Sequence, residues 1–275
     1  MNARRTWLFV PGADPKAHAA AARSGADVIV LELEDFTPPE LRPKAYELSE
    51  AALTSWRKAG ALAGVRVNPL ETCGHQDLAG VIGARPDLIM MSKVAVPQQV
   101  IALEKATGGV VELVPNIESA LGLKNSYEIG KASKRISAML VASEDMVADL
   151  GTGRSRGGEE LAYVRARFLV ECRAAGVEAI DCPYTFSDAK GAAADARYAK
   201  RLGYRMKSLV DPSHAKGINA VLSASKKELA RARQIVMAFE QARASGKERV
   251  KVGGLLVEVP IYAAAKRLLA VAGKR

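Results

Sequence analysis

The sequence is 275 residues long, with 49% hydrophobic and 25% charged residues, a balance that is ordinary for a soluble globular protein and excludes a disordered chain. Each apolar run is broken by a charged residue within about ten positions, so no segment is predicted to span a membrane. The formal charge of +10 is spread over helical patterns and aromatic residues make up only 5%, so a nucleic-acid partner is not expected and an anionic small molecule is favoured.

The few cysteines and histidines argue against a disulfide framework or a zinc site. The cysteines lie at positions 73, 172 and 182, and the histidines at positions 18, 75 and 214. No Cys-x-x-Cys spacing occurs and the histidines are far apart in sequence, so the usual metal-ligand patterns are missing. An odd number of cysteines without pairing signals is typical of a reducing compartment, and a cytoplasmic location is predicted.

Eight short apolar segments alternate with helical patterns over most of the chain. Strands are predicted at residues 7–12, 27–34, 64–69, 87–94, 111–119, 140–145, 177–184 and 205–211. Helices are predicted at residues 14–24, 39–59, 119–131, 158–175 and 188–202. Eight alternations without hairpin signals predict an α/β fold, a parallel (β/α)8 TIM barrel, whereas a doubly wound sheet needs fewer strands and a switch point.

The repeating pattern stops after position 212. A short helix at 213–222 and a long charged helix at 226–246 precede the segment 248–260, which has the pattern of a small hairpin, and a final helix runs to 272. Two domains are therefore predicted, a catalytic barrel over 1–222 and a C-terminal helical and hairpin extension over 223–275. An extension of this kind is expected to act as a lid or as a subunit contact.

Acidic residues end two neighbouring predicted strands. Glu118 ends the fifth strand, and Asp145 ends the sixth. The carboxyl ends of barrel strands meet at one face, where barrel enzymes hold their active sites. Two carboxylates placed there repel each other unless a cation lies between them, so a hard divalent cation such as Mg²⁺ is predicted.

Further charged side chains lie at or near the ends of other strands. Arg66 and Asn68 share one face of the third strand because alternate residues lie on the same side. Lys93 and Lys207 are expected to form ion pairs, since a Schiff-base lysine needs a desolvated pocket and a matching substrate. Glu32 is expected on an outward face beneath a helix. The other polar residues in this set are Asn116, Glu144, Asp181 and Asp211.

Several motifs occur in the order of a known family. They are Arg5-Thr-Trp-Leu-Phe-Val-Pro-Gly12, Leu33-Glu-Asp35, Val65-Arg-Val-Asn68, Ser92-Lys-Val94, Pro115-Asn-Ile-Glu-Ser-Ala-Leu-Gly-Leu123 and Ser143-Glu-Asp-Met-Val-Ala-Asp-Leu-Gly151. With them, the chain resembles the citrate lyase β-subunit-like (CoA ester lyase) branch of the HpcH/HpaI aldolase superfamily. The resemblance implies a (β/α)8 barrel, assembled as a trimer or hexamer, that uses Mg²⁺ to cleave or form a carbon–carbon bond in 3-hydroxyacyl-CoA thioesters such as citryl-CoA, malyl-CoA or citramalyl-CoA.

The resemblance also implies roles for individual residues. Glu118 and Asp145 match the family's metal ligands, and Arg66 matches the arginine that contacts the substrate carbonyl and carboxylate. Asp35 falls in the Leu-Glu-Asp motif near the metal-bound waters and is implied to be catalytic. Lys93, in a Ser-Lys-Val version of the family's Pro-Lys-Val motif, is implied to support substrate binding.

Two motifs depart from the family's pattern. After the eighth strand the family typically has Ile-His-Pro-x-Gln, whereas this chain has Val210-Asp-Pro-Ser-His214, with Asp211 in place of the histidine. Near the C-terminus, Glu258 stands where the family usually has an aspartate, which a neighbouring subunit delivers as general acid or base. Glutamate is one methylene longer, so the reach of this group is changed. The implied metal ligands are unchanged.

Other functions remain open on the same barrel. An aldolase acting on a free 2-oxo acid, such as a 4-hydroxy-2-oxo diacid, or a thioesterase-like hydrolase would use similar residues, and CoA dependence of turnover discriminates between them. A non-catalytic barrel subunit that binds an acyl-CoA or an oxo acid would bind its ligand without any turnover. The Gly- and Arg-rich loop at 151–158 lacks the Gly-Lys-Ser/Thr ending of a phosphate loop and is expected to be a mobile, cationic loop near the barrel mouth.

Overall fold

The computed structural model describes residues 4–109 and 111–272. Two compact units are formed, one by Arg4–Leu222 and one that begins at Ser223. The outer ends of the two predicted domains, residues 1–3 and 273–275, lie outside the described residues. None of the helices in the described part of the chain combines the length and the apolar character needed to cross a bilayer.

The first unit is a closed barrel of eight parallel strands, which confirms the predicted fold. The strands are β1 (Thr6–Pro11), β2 (Val28–Glu32), β3 (Leu62–Val67), β4 (Leu88–Met91), β5 (Glu112–Ile117), β6 (Ala138–Val141), β7 (Glu178–Asp181) and β8 (Met206–Leu209). Each strand pairs with the next in sequence, and β8 closes the barrel against β1 with Ser208 beside Trp7. The carboxyl ends of all eight strands therefore lie at one face.

Helices connect the strands on the outside of the barrel. They are α1 (Pro15–Ser24), α2 (Arg42–Lys58), α3 (Gly74–Val81), α4 (Pro97–Ala106), α5 (Ala120–Lys124), α6 (Ser126–Lys131), α7 (Glu144–Asp149), α8 (Ala162–Ala175), α9 (Ala189–Leu202) and α10 (Ala215–Leu222). The Asp14 side chain accepts hydrogen bonds from two backbone amides at the start of α1, and Pro15 occupies the first helical position, as the sequence predicted.

Two predicted elements were wrong in detail. The single helix predicted at 119–131 is the pair α5 and α6, which meet at Asn125, where the side-chain amide donates to the carbonyl of Ala95 over 2.8 Å. The sixth strand ends at Val141, so Asp145 lies in the first turn of α7 rather than on a strand. Acidic residues favour the first turn of a helix because backbone N–H groups point outward there.

Alternation along the strands separates two apolar layers. One layer contains only strand residues and fills the interior of the barrel: Trp7, Phe9, Val28, Val30, Leu88, Met90, Val114, Ala138, Leu140 and Ile180. The other contains the intervening strand residues and packs against helix residues such as Leu53, Trp56 and Phe168. Because alternate residues share a face, the interior positions that follow Val30, Gly64 and Val114 are Glu32, Arg66 and Asn116. The interior thus changes from apolar to polar toward the carboxyl ends of the strands.

The second unit is built from helices and one hairpin. Helix α11 (Lys226–Ala244) is followed by the antiparallel strands β9 (Val250–Val252) and β10 (Leu255–Val257), and by α12 (Val259–Ala272). The hairpin predicted in this segment is confirmed, and Gly253 and Gly254 supply the positive φ angles of its turn. A small core includes Phe239, whose ring stacks on that of Tyr262 at 4.7 Å between centroids.

Candidate active site

Arg66 is the centre of a polar site at the carboxyl ends of the strands. It is 7% exposed, and its three guanidinium nitrogens each face a different carboxylate. Nε lies 3.0 Å from Glu32, one terminal nitrogen lies 3.1 Å from Glu34, and the other lies 3.6 Å from Glu118. Burial alone lowers the pKa of Arg66, but the attraction of Glu32, Glu118 and Glu34 outweighs it and raises that pKa. The guanidinium is therefore permanently charged and fixed in direction.

Glu32 corrects one prediction made from the sequence. It was expected on an outward face, but it is fully buried on the interior side of β2, opposite Arg66 in the strand register. Its carboxylate accepts hydrogen bonds from the backbone amides of Glu34 and Phe36, both over 2.6 Å. The sequence shows that Glu32 and Glu34 share a face, but both sides of a barrel strand are covered, so alternation alone does not identify the inner one. Glu32 holds Arg66 and the turn after β2 in place.

The carboxylate of Glu34 lies between two positively charged side chains. It lies 3.1 Å from Arg66 and 2.7 Å from the ammonium group of Lys93, which confirms the predicted ion-pairing of this lysine. Lys93 adopts a positive φ of 53°, a conformation that costs energy for a residue with a side chain. The hydrogen bond from Lys93 to Glu34 raises the pKa of the lysine, which is half exposed. Lys93 is therefore a charged group that can still reach a ligand.

Glu118 is less fully neutralised, since Arg66 approaches it only to 3.6 Å. It is 2% exposed, and neither of its carboxylate oxygens has a hydrogen-bond partner in the described part of the protein. Burial raises the pKa of Glu118 to about 8. The attraction of Arg66 lowers this pKa, whereas repulsion from Glu34 and Asp145 raises it further. Two unpaired oxygens on a buried acid are a strong indication that a cation belongs beside it.

Asp145 and Asp35 complete the site. Asp145 is half-buried at the start of α7, and Asp35 is exposed in the turn after β2. Burial raises the pKa of Asp145, and repulsion from Asp35 raises it further. The positive charges of Lys93 and Arg66 lower the pKa of Asp145. The folded chain therefore brings all these charged groups close enough to interact electrostatically. We refer below to the carboxylate site, which consists of Glu32, Glu34, Asp35, Arg66, Lys93, Glu118 and Asp145.

The donor set of the carboxylate site fits a hard divalent cation. Five carboxyl groups face only two cationic groups, Arg66 and Lys93, and the free ligand atoms are all oxygens. Within residues 4–109 and 111–272, however, no three His, Cys, Asp or Glu side chains converge closely enough to enclose an ion by themselves. Mg²⁺ suits this arrangement, because it usually keeps several waters and takes only one or two carboxylates from the protein.

A second layer of hydrogen bonds supports the turn after β2. The carbonyl of Leu33, next to Glu34, accepts from the amide of Asn68 and from the Nε of Arg42, both over 2.9 Å. Asn68 also donates over 2.8 Å to Asp77, a fully buried acid on α3 that accepts from the hydroxyl of Tyr46 as well. Asn68 therefore positions the site rather than facing a ligand. Asp77 was missed from the sequence, although an acid among the buried positions of a helix was a usable signal.

Two charged residues predicted near strand ends lie outside the carboxylate site. Asp181 and Lys207 are fully buried and 2.7 Å apart, and both lie on the outer side of the barrel beneath α8 and α9. Arg165 and Asp195 join them in a charge-balanced group, with Arg165 2.6 Å from Asp181 and Asp195 2.5 Å from Lys207. The interior position next to Asp181 belongs to Ile180, so alternation directs Asp181 outward. The ion-pairing role predicted for Lys207 is confirmed.

The loop at 151–158 carries less free charge than its sequence indicated. Arg154 lies 2.7 Å from Glu160 and 3.3 Å from Glu144, and Arg156 lies 2.7 Å from Asp188. Arg154 is thereby largely buried, whereas Arg156 stays exposed. Each cation of the loop is thus matched by a carboxylate, and its mobility stays a prediction.

Asp211 and Glu258, the two positions that depart from the family pattern, differ in their local contacts. Asp211 accepts a hydrogen bond from the backbone amide of Ser213 over 2.8 Å and lies 3.7 Å from the ring of His214. Glu258 belongs to the C-terminal unit, where it is exposed between β10 and α12 and its carbonyl accepts from the amide of Tyr262. The catalytic role implied for Glu258 stays a prediction.

A parallel (β/α)8 barrel with buried acids and a fixed arginine at the carboxyl ends of its strands defines a class, the barrel enzymes whose carboxylates are arranged for a divalent cation. The sequence model of the HpcH/HpaI aldolase/citrate lyase family matches residues 5–212. The chain belongs to this family.

Relatives with recorded activities extend over nearly the whole chain. The citrate lyase subunit beta of Leuconostoc mesenteroides subsp. cremoris is 32% identical over 281 aligned positions, which cover 98% of this chain and 93% of the relative. The L-malyl-CoA/beta-methylmalyl-CoA lyase of Cereibacter sphaeroides is 32% identical over 93% of this chain and 90% of the relative. The crystal structure of CitE from Mycobacterium tuberculosis, in complex with magnesium, acetoacetate and coenzyme A, has a TM-score of 0.81 at 26% identity, with 98% of each chain covered.

Proposed function

We propose that this protein is a Mg²⁺-dependent carbon–carbon lyase that cleaves or forms 3-hydroxyacyl-CoA thioesters, with a 2-oxo acid or glyoxylate as one product. The observation that carries the proposal is the carboxylate of Glu118, which is buried beside Arg66 without a hydrogen-bond partner among the described residues, in a chain whose relatives include a citrate lyase subunit and a malyl-CoA lyase. In the cleavage direction, the bond between C2 and C3 of the thioester breaks. The 3-hydroxyl loses its proton and becomes the carbonyl of the oxo acid, and C2 of the thioester gains a proton.

Glu118 and Asp145 would hold the metal ion. Both acids carry oxygen ligands, and the pKa of each is raised by burial and by repulsion from neighbouring carboxylates. When bound, Mg²⁺ supplies a Lewis acid that polarises a carbonyl oxygen and offsets negative charge on it. In the absence of the ion, the same two acids are disfavoured in their charged forms.

Arg66 would bind the oxo-acid carboxylate and stabilise the charge that develops on a carbonyl oxygen. Its three carboxylate neighbours hold the guanidinium in one direction before any ligand arrives, so little reorganisation is needed during the reaction. A guanidinium is also suited to planar carboxylates because its donors form a fixed fork.

Asp35 and Lys93 would complete the site from the turns after β2 and β4. Asp35 is exposed and acts on Asp145 by charge, so it can orient water in that region. The ammonium group of Lys93 is half exposed while it pairs with Glu34, so it can attract an anionic substrate. Glu258 would act as the general acid or base that moves the proton at C2, delivered from a neighbouring subunit.

The assembly proposed for the protein follows the same family pattern, and the proposed location follows from its cysteine usage. We place it in the cytoplasm as a homotrimer or hexamer, with the C-terminal extension as a lid or subunit contact that carries Glu258. Mixing an inactive Glu118→Gln chain with an inactive Glu258→Gln chain tests this directly. Recovery of activity in the mixture supports a site shared between subunits, and an inactive mixture of correctly assembled chains contradicts it.

Turnover of a thioester panel tests the proposed chemistry. Malyl-CoA, citramalyl-CoA, citryl-CoA and 3-hydroxy-3-methylglutaryl-CoA are incubated with the full-length protein and Mg²⁺, and again with EDTA, while release of the oxo acid or acetoacetate is followed. We expect chelator-sensitive cleavage of at least one member. Cleavage of a free 4-hydroxy-2-oxo acid without any thioester turnover would identify an aldolase instead, and ligand binding without turnover would identify a non-catalytic barrel.

A further inference from the structure

Asn116 occupies the boundary between the apolar interior of the barrel and the carboxylate site. It lies on β5 between Val114, which belongs to the interior apolar layer, and Glu118, which faces Arg66. Alternate residues of a strand share a face, so Val114 and Asn116 are both directed into the barrel, and Glu118 follows directly after the strand. In the strand register Asn116 lies beside Leu140 of β6, another interior apolar residue. Its side chain therefore forms part of the floor of the carboxylate site.

The side-chain amide of Asn116 is fully buried, away from the hydrogen-bonding groups of the described chain. Neither its nitrogen nor its oxygen makes a hydrogen bond within the described residues. Among the described residues, Glu118 and His214 also have buried polar side-chain atoms without a hydrogen bond, whereas the carboxylate of Glu34 is matched by Arg66 and Lys93. Glu118 belongs to the carboxylate site and lies two residues from Asn116, so these two unsatisfied polar groups occur together where a ligand is expected.

The architecture of the barrel gives no reason for an amide at this position. The backbone carbonyl of Asn116 accepts from the amide of Val94 over 3.0 Å, and this contact is independent of the side chain. An apolar side chain of similar size would continue the layer formed by Val114 and Leu140 and would remove an unpaired donor and acceptor. A buried amide without a partner in the chain costs free energy unless a group from outside the chain satisfies it, which points to a partner that arrives with the substrate.

The chemistry of the amide restricts that partner. The Asn116 nitrogen requires an acceptor and the oxygen requires a donor, and a hydroxyl group supplies both. A carboxylate would satisfy only the nitrogen and would add negative charge to a site that already has an excess of acids. A methyl group would satisfy neither atom.

We propose that Asn116 is a specificity-determining residue that recognises a hydroxyl-bearing substituent on the oxo-acid part of the substrate. The inference rests on the proposed function, because it assumes that an oxo acid binds at the carboxylate site. It adds a substrate class: oxo acids that resemble hydroxypyruvate are preferred over those that resemble pyruvate. A site built to hydrogen-bond a substrate hydroxyl rejects an analogue that lacks it, because its own polar atoms are then left unpaired.

Binding and stability of the Asn116→Leu variant test the proposal. Calorimetry of the full-length protein with Mg²⁺ measures the affinities for hydroxypyruvate and pyruvate. We expect the wild type to prefer hydroxypyruvate by roughly tenfold or more, and the variant to lose that preference. We also expect the ligand-free variant to melt no lower than the wild type, since it loses no hydrogen bond.

Asn125→Leu is the matched control. The amide of Asn125 donates to the carbonyl of Ala95 over 2.8 Å, so its removal leaves an acceptor unpaired and is expected to lower the melting temperature by about 2 to 4 °C without changing the ligand preference. If Asn116→Leu loses as much stability as this control, the amide has a structural partner and the proposal is wrong. Equal affinity of the wild type for the two oxo acids also overturns it.

The proposed lyase activity and the proposed specificity role of Asn116 can each be contradicted without the other. Oxo-acid binding is measured without CoA and without turnover, whereas the lyase activity is measured by cleavage of thioesters. If the wild type cleaves no thioester but prefers hydroxypyruvate in an Asn116-dependent manner, the lyase proposal is wrong and the specificity role stands. If the wild type cleaves thioesters and Asn116→Leu cleaves both the four-member panel and an added thioester made from hydroxypyruvate with unchanged kcat and KM, the specificity role is wrong.

Discussion

Arg66 approaches Glu118 to 3.6 Å but Glu32 to 3.0 Å, so Glu118 is the least neutralised of the three acids around the guanidinium. A second difference reinforces this one. The carboxylate of Glu32 accepts two backbone amides, whereas that of Glu118 accepts no hydrogen bond in the described part of the protein. Glu32 therefore serves the architecture of the site, and Glu118 is available to bind a cation.

Replacement of Glu118 by glutamine separates metal binding from folding. Burial raises the pKa of Glu118 to about 8 in the metal-free protein, which favours its neutral form, and glutamine mimics that form. We expect Glu118→Gln to fold with nearly wild-type stability, to lose its thermal stabilisation by Mg²⁺ and to lose turnover. Thermal unfolding with and without Mg²⁺ provides the measurement. Wild-type stabilisation by Mg²⁺ in this variant would remove Glu118 from the metal site.

The raised pKa of Glu118 predicts how stability depends on pH without metal. The folded value of about 8 exceeds the ordinary value of 4.5, so the folded chain binds more protons than the unfolded chain between these limits. The contribution of Glu118 to the free energy of unfolding therefore decreases as the pH rises through this window, by up to about 1.4 kcal/mol per pH unit. Urea unfolding of wild type and Glu118→Gln from pH 5 to 9 measures the difference.

Addition of Mg²⁺ provides the control for that measurement. The ion binds the charged form of Glu118, so its stabilising effect is expected to grow as the pH rises toward 8 and above. A difference between wild type and variant that is independent of pH would show that Glu118 has an ordinary pKa.

Replacement of Arg66 by lysine keeps the charge but removes the geometry. One ammonium group cannot face Glu32, Glu34 and Glu118 in the directions that three guanidinium nitrogens do. We expect kcat/KM to fall by roughly 10² to 10³-fold, as for the loss of a preorganised oxyanion donor. Steady-state kinetics of the most active thioester provides the test.

Arg135→Lys is the matched control for this substitution. Arg135 also makes three side-chain hydrogen bonds, to Val111, Glu104 and Thr107, which lie outside the carboxylate site. We expect this variant to lose stability and to keep kcat/KM. Similar losses of kcat/KM in both variants would mean that Arg66 acts through folding alone.

The contact between Asp77 and Asn68 predicts that a buried acid outside the site controls its geometry. Asp77→Asn would disturb the bonds to Asn68 and Tyr46, and so the hold of Asn68 on the Leu33 carbonyl. We expect a loss of about 1 to 3 kcal/mol in stability and roughly a 10²-fold loss of kcat, since small displacements of catalytic groups are costly. Tyr46→Phe removes one bond only and should keep most of the kcat. Unchanged kcat in Asp77→Asn would contradict a positioning role.

Most of the barrel follows from local patterns in the sequence. The β/α alternation predicts eight strands, and the acid at the end of β5 predicts where polar chemistry lies, because the carboxyl ends of parallel strands converge. Asp145 was placed one element too early, since a short turn from β6 into α7 has no Gly or Pro to mark it.

The inner arrangement of the site depends on contacts that local patterns do not contain. Glu32 and Asp181 are both acids at strand ends, yet one faces Arg66 inside the barrel and the other faces Arg165 outside it. Both faces of these strands are buried, so hydrophobic alternation does not distinguish them. Tertiary pairing determined which acid belongs to the site.

Turnover of the four thioesters by the wild type and by Asp145→Asn, with Mg²⁺ and with EDTA, tests the central claim most directly. The account predicts that the wild type cleaves at least one thioester, that EDTA abolishes this activity and that Asp145→Asn lacks it while it stays folded. Cleavage that survives both the chelator and the substitution would contradict a magnesium-dependent lyase built on Glu118 and Asp145.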